Sequence, residues 1–438
     1  MTNLLILSFL YLVYTAVSFW LFNGNFLSPS FVFSLAMSIT LCLAYYAAVD
    51  MEMLFAINLE TFSIFAFAGF IFLATEFFVY AMHTVKVLDG NPRLDSSDLN
   101  IKHQPLVIDK QFQVAFTVLL VVSFLFALVV LYLNSSGGSF SERMRQYKAL
   151  VLHNQEALRL RFPVSQLYKI NFTGINLYGY VMVYNLTLCN VKIREVLFYI
   201  IDSVLYALFA SVYNGARVSA IEFFLFLIMI YIALNMRPKG RQKIYALIGK
   251  MLPVVVLIAS LFTVTGTLLG RYSNKPAMLN VVEYACGGLY AFNIHIDDGG
   301  STKIFGGRSF AYIYSIFQKM GLMPEGATTT YAEFDLYGNT VTMFGRWHRD
   351  FGAVGVFVMT CLVSLFYSSM FYGKMLHSRN IKKEHHMARI FYCYFMTGLI
   401  WAGFDDRIAT MMTVQTVIFL ILTAVFYELL IVKRMRLW

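Results

Sequence analysis

The sequence predicts an all-α polytopic membrane protein with about eleven spanning helices and a large extracytoplasmic loop between the eighth and ninth. Composition, the length of the apolar runs and the placement of basic residues predict it. Of 438 residues, 59% are hydrophobic and 13% are charged, and the mean hydropathy is +0.66. A water-soluble domain keeps roughly a quarter of its residues charged, so this chain has too little polar surface to coat a globule. A bilayer removes the contradiction by serving as solvent for the apolar exterior.

A spanning helix needs about 20 mostly apolar residues. Such runs occur near 4–22, 31–49, 61–82, 112–133, 173–190, 196–213, 218–235, 251–270, 351–372, 389–404 and 409–431. They are long and do not alternate, which excludes barrel strands. The first, Leu4 to Phe22, is too long for the core of a secretory signal and has no basic leader, so it reads as a mature span.

Lysines and arginines in short loops set the orientation. The tail carries Lys433, Arg434 and Arg436 and is placed inside, as are the loops with Lys374, Arg379, Lys382 and Lys383, with Arg237, Lys239, Arg241 and Lys243, and with Lys192 and Arg194. The loop at 50–60 holds Asp50, Glu52 and Glu60 without a basic residue, which suits the outside. An odd span count then leaves the N-terminus outside as well.

Two long segments fall outside on this reading, 134–172 and 271–350, within one membrane domain of residues 1–438. The first opens on Ser139-x-x-Glu142, a capping-box spacing. Met144, Tyr147, Val151, Leu158 and Phe162 follow at helical intervals, predicting a helix on the membrane surface with Arg143, Arg145, Arg159 and Arg161 toward water or headgroups. The second segment holds Gly-Gly pairs at 287–288, 299–300 and 306–307 and a short amphipathic helix from Ser309 to Met320, with Gly321 as its cap. A loop of this length is usually functional. There is no internal repeat, which argues against an inverted-repeat transporter.

The net charge of +10 is confined to short loops, so it does not require nucleic acid. Cys42, Cys189, Cys286, Cys361 and Cys393 are scattered, with only Cys286 in a long external segment, and no disulfide framework follows. There is no CxxC or HExxH spacing, and no metal or other cofactor is predicted.

Arginines mark the outer face. Arg217, Arg271, Arg308, Arg346, Arg349 and Arg407 lie at outer span ends or in the long loop, whereas lysines dominate the inner loops. Long loops escape the orientation bias and arginines snorkel, so any single one has an ordinary explanation. The set together suits an anionic substrate, because the guanidinium fork grips phosphate. Arg346, Trp347, His348, Arg349 and Asp350 crowd the mouth of the ninth span, where a helix begun one turn early puts Arg346, Arg349 and Asp350 on one face. An outward helix N-terminus there would favour an anion; the structural alternative is an Arg346–Asp350 pair pinning the helix end. Asp405, Asp406 and Arg407 cluster before the final span. Candidate bases are Asp350, Asp406, His348 and Glu283, and Tyr284, Tyr290 and Trp347 are candidates to stack on sugar rings.

The run Asn339-Thr-Val-Thr-Met-Phe-Gly-Arg-Trp347, followed by Asp350-Phe-Gly-Ala-Val-Gly355 and an apolar span, resembles the outer-loop signature of Wzy-type oligosaccharide repeat-unit polymerases, the O-antigen and capsule polymerases. The turn Gly215-Ala216-Arg217 is similar to a second, looser family feature. His348 stands where relatives often carry an aromatic residue, which counts against it as an indispensable base. The resemblance implies a GT-C-like helical bundle in a bacterial cytoplasmic (inner) membrane with its active site facing the periplasm. It implies polymerisation of undecaprenyl-diphosphate-linked oligosaccharide into O-antigen or capsular polysaccharide, without a metal. A chain-length regulator and a flippase of the same pathway are the implied partners. Arg217, Arg346 and Arg271 are the implied diphosphate ligands, with Arg308, Arg349 and Arg407 in support. Competing readings are a flippase or transporter of the same lipid-linked sugar, an O-antigen ligase, and a metal-dependent lipid-phosphate glycosyltransferase using Asp50 and Glu52.

Overall fold

The computed structural model describes residues 1–50, 56–89, 103–153, 158–189, 191–215, 218–235, 277–294, 296, 305–323, 342–375 and 383–434. Among them, all regular structure is helical. Eight segments are long and apolar enough to cross a membrane: Thr2–Leu21, Pro29–Val49, Leu59–Thr84, Lys110–Leu133, Ile193–Asn214, Val218–Asn235, Met343–Met375 and Val414–Val432. The protein is therefore an all-α chain of multi-pass character. Two of the eleven expected runs, near 173–190 and 389–404, lie in helices Arg161–Leu188 and Lys383–Ile400, which are not among the eight. The run near 251–270 lies outside the described residues.

The chain divides into two units. The first comprises Met1–Leu99, Arg237–Gln242 and Pro276–Thr416. Its helices are α1 (Thr2–Leu21), α2 (Pro29–Asp50), α3 (Leu59–Asp89), α9 (Ala277–Ile294), α10 (Ala311–Lys319), α11 (Met343–Met370), α12 (Lys383–Ile400) and α13 (Arg407–Met411). Side-chain contacts give their directions. Asn3 bonds the Ile57 carbonyl, Tyr11 the Phe65 carbonyl and Asn23 the Tyr80 hydroxyl, so α1 and α3 run in parallel. Phe33 stacks on Phe72 at 4.4 Å and Ser30 reaches Glu76, so α2 runs the other way. Beyond residue 352, α11 follows α3: Phe357 meets Phe67, Ser364 bonds the Phe72 carbonyl and Tyr372 bonds Glu76. These directions agree with the alternation expected for spans one, two, three and nine.

The expected loop 271–350 contains the 18-residue helix α9, which lies beside α2. Cys286 Sγ is 3.6 Å from the Thr40 carbonyl, halfway along α2, and Asn293 Nδ2 donates to the Ala56 carbonyl at 2.8 Å. An 18-residue helix is about 27 Å long, so α9 reaches well down the flank of α2 rather than resting beyond its end. The Gly287–Gly288 pair, placed by the sequence in the long external segment, is buried within this helix, where a missing Cβ permits close packing.

The second unit comprises Asn100–Met236, Lys243–Lys275 and Val417–Trp438. It holds α4 (Lys110–Leu133), α5 (Phe140–His153), α6 (Arg161–Leu188), α7 (Leu197–Asn214), α8 (Val218–Asn235) and most of α14 (Val414–Phe426). Ser139 Oγ accepts the Glu142 N–H at 3.2 Å, as the capping-box spacing requires, while the Glu142 carboxylate takes the Gly138 N–H. The surface-helix expectation needs correction. Met144, Tyr147, Val151 and Leu158 are buried within the protein, and Phe162, assigned to the same face, is exposed. Arg161 points inward, donating to the Tyr213 carbonyl at 2.6 Å with its guanidinium 3.8 Å from the Tyr213 ring. A partly desolvated guanidinium over an aromatic face is held more firmly than one in water.

Candidate functional site

The site forms where the start of α11 meets the connection between α12 and α13. The chain enters α11 at Thr342 and Met343, both fully buried. Phe344 wedges between Phe33 and Phe65, with ring centroids 6.3 and 4.9 Å away. Four residues later His348 faces Glu60, nearer the start of α3, yet Phe357 is back beside Phe67. The advance along α3 thus reverses within α11. Gly352 makes the break, with φ +66° and ψ −168° inside an otherwise helical run. A left-handed φ is open to glycine without a Cβ penalty.

The opening segment of α11 consequently points its N-terminus into the protein. Its Met343 N–H donates to the Ala402 carbonyl at 3.1 Å. This corrects the expectation of an outward helix N-terminus offered to an anion: the free N–H end is turned inward and engaged by the α12–α13 connection. Gly403 in that connection has Thr40 and Met37 of α2 against it, and any Cβ there would fall 2.5 Å from Thr40 Oγ1.

Arg346 lies on the first turn, 15% exposed, with Nε 3.4 Å from Oδ2 of Asp406, whose side chain is 0% exposed. The two are sixty residues apart in sequence and are brought together by the Met343–Ala402 hydrogen bond beside them. Asp406 also caps α13, accepting the Ala409 N–H at 3.1 Å. Burial pushes its carboxyl up to about 6, against the opposing pull of Arg346. The Tyr312 ring of α10 lies 5.7 Å from the Arg346 guanidinium. Nη1 of Arg346 is buried and has no hydrogen-bond partner, and Nε1 of Trp401 and Oγ1 of Thr342 are in the same condition. A buried charged donor without an acceptor costs more than a neutral one, so this constellation favours an incoming anion or hydroxyl.

The alternative Arg346–Asp350 pair does not form. Asp350 instead accepts the Arg308 N–H at 3.1 Å and the Ser309 N–H at 2.6 Å, just ahead of α10. Its carboxylate ties the turn at 305–310 to α11, which leaves it poorly placed as a base. Trp347 is 1% exposed, packed near Phe344, and cannot stack on a sugar; its apolar bulk anchors the entering segment. Arg407 pairs with Asp405 at 2.9 Å. His348 Nε2 is 3.8 Å from the Glu60 carboxylate and 5.5 Å by ring centroid from Phe292 of α9. Arg349 and Arg308 are half-buried, as is Tyr290 on α9.

Arg217 and Arg271 lie outside the described residues, as do the side chains of Tyr284, Glu283, Asp50 and Glu52. The structure joins Arg346 with Asp406, whose proximity no spacing announced, and brings Tyr312 toward the guanidinium. Among the described residues no group of three or more His, Cys, Asp or Glu side chains is arranged to hold a metal. Comparison with family models, with curated proteins and with solved structures finds no match.

Proposed function

We propose that the protein polymerises polyprenyl-diphosphate-linked oligosaccharide repeat units at the outer face of a bacterial cytoplasmic membrane, with Arg346 as the principal diphosphate ligand. The observation that carries this reading is the state of Arg346. Its charge is balanced by Asp406, its side chain is largely buried, and Nη1 has no partner. A fixed cation with unused donor capacity stabilises charge that develops during reaction, because its dipoles need no reorganisation.

In the proposed step, a hydroxyl of the acceptor unit attacks the anomeric carbon of the growing chain. The new C–O bond forms as the bond to the lipid diphosphate breaks, and the electron pair leaves with the diphosphate. Arg346 donates to that oxyanion. The hydroxyl proton must go to a base. Asp350 is occupied by two backbone N–H groups and Asp406 by Arg346, which leaves His348, beside the Glu60 carboxylate, as the best placed described group. The test is incubation of the purified protein with lipid-diphosphate repeat units in liposomes. Polymerisation yields a ladder of lengthening chains and released lipid diphosphate. Units that stay monomeric would refute it.

A second reading, transport of the same lipid-linked sugar, is favoured by one observation: Glu76 on α3 and Asp202 on α7 are wholly buried within candidate spans. In the same liposomes a transporter would move units across the bilayer without joining them.

A further inference from the structure

In the second unit a buried carboxyl group belongs to none of the residues assigned to the Arg346 site. Asp202 lies early in α7 and is 0% exposed. Its Oδ1 is 2.7 Å from Thr117 Oγ1 of α4. The same hydroxyl is 3.0 Å from the Gln113 carbonyl, one turn back in α4. A threonine hydroxyl has one hydrogen, so it cannot serve both oxygens fully.

An un-ionised Asp202 resolves the geometry. Its acid O–H donates to Thr117 Oγ1, and Thr117 donates to the Gln113 carbonyl, so both short contacts become hydrogen bonds. Two of the other polar neighbours have their donors engaged elsewhere. Gln113 Nε2 donates to the Ile108 carbonyl at 2.8 Å and the Tyr199 hydroxyl at 3.2 Å, and Tyr178 donates to the Phe112 carbonyl at 3.2 Å. The groups that face Asp202 are Thr117 of α4, Tyr178 of α6 and Tyr199 of α7 itself, none of them a cation. Its Oδ2 is buried with no hydrogen-bond partner. An ionised carboxylate without a counterion in such a place is strongly disfavoured, and a bound proton removes the penalty.

We infer that Asp202 is a proton-binding site at span level in the second unit, its proton held between Oδ1 and Thr117 and its Oδ2 open as an acceptor. Uptake is the addition of one proton from water to the carboxylate, with no other bond made or broken. Ionisable side chains at membrane depth recur as members of proton relays, and this one is separate from the Arg346 site in sequence and in unit.

Infrared difference spectra of the full-length protein in lipid nanodiscs test this at neutral pH. Wild type minus Asp202→Asn is expected to show the carbonyl stretch of an un-ionised carboxylic acid, moving to lower wavenumber in heavy water. Asparagine keeps an N–H donor for Thr117, so the fold is retained. Thr117→Val provides a second reading that leaves the carboxyl in place: the acid band is expected to move to higher wavenumber as its hydrogen bond is lost. Carboxylate bands in place of the acid band, or an acid band unmoved by Thr117→Val, would overturn the assignment.

Discussion

Among its described residues the first unit buries two acidic side chains, Glu76 and Asp406, and answers them in different ways. Glu76 of α3 accepts the Ser30 N–H at 2.5 Å, at the start of α2, and the Tyr372 hydroxyl at 2.8 Å from the far end of the α11 span. Both of its oxygens meet neutral donors fixed by the fold, and the N-terminus of α2 adds favourable partial charge. Asp406 meets a full cation, Arg346, and that cation keeps an unpartnered nitrogen. Burial is common to the two, so burial alone does not mark a functional group. Unused donor capacity does. Glu76 pins three helices together, whereas Asp406 holds a charged group ready for something else.

The largest expected effect separates the two sites by activity. Arg346→Ala should lower repeat-unit incorporation by the purified protein about 100- to 1000-fold, the usual loss for a charge-stabilising donor. Glu76→Gln, measured alongside, should stay within about threefold of wild type, since an amide keeps an acceptor for one donor. Equal losses would erase the distinction. Arg346→Lys sharpens it: charge without the planar fork should leave activity roughly tenfold or more below wild type.

Stability reverses the ranking. Glu76→Ala leaves the Ser30 N–H and the Tyr372 hydroxyl without their acceptor and should cost roughly 2–4 kcal/mol in thermal unfolding. The pH dependence of Asp406 is a further separation. Its carboxyl is pushed up to about 6 by burial, above its usual range, so the folded state binds the proton more tightly than the unfolded chain. Wild type should therefore gain stability relative to Asp406→Asn as pH falls from about 6 toward about 4, by up to roughly 3 kcal/mol, and hold that gain below. Melting curves of the two proteins across that range check the sign; a loss on acidification would mean Arg346 dominates over burial. The smallest effect belongs to Gly352→Ala. A Cβ there meets nothing within 4 Å, so the cost is the backbone alone, a positive φ with an extended ψ that only glycine adopts readily, about 1–3 kcal/mol, read as a lower unfolding temperature.

Helix class was legible in the sequence because apolar runs such as Lys110–Leu133 carry it residue by residue. The crowding of charge around Arg346 was legible too. Its partner was not, since the Arg346–Asp406 pair depends on a bond between Met343 and Ala402 that no local pattern encodes. Helical spacing proposed Asp350 for Arg346, and the turn at Arg308 and Ser309 claimed that carboxylate instead. The reversal at Gly352 was hidden because Asp-Phe-Gly running into an apolar stretch also reads as an ordinary helix start. Helix α9 escaped because its glycine pair lowers helix propensity, and packing against α2 overrides it. Trp347 read as a ring available to a sugar because it stands among charged residues, yet the inward entry of the segment buries it.

Binding of a polyprenyl diphosphate to the purified protein tests the central claim most directly. Titrated by quenching or calorimetry into wild type, Arg346→Ala and Glu76→Gln, it should bind wild type and Glu76→Gln alike and Arg346→Ala at least about tenfold more weakly, a loss of roughly 1.4 kcal/mol or more. Equal affinity for all three proteins would contradict the assignment of Arg346 as the diphosphate ligand.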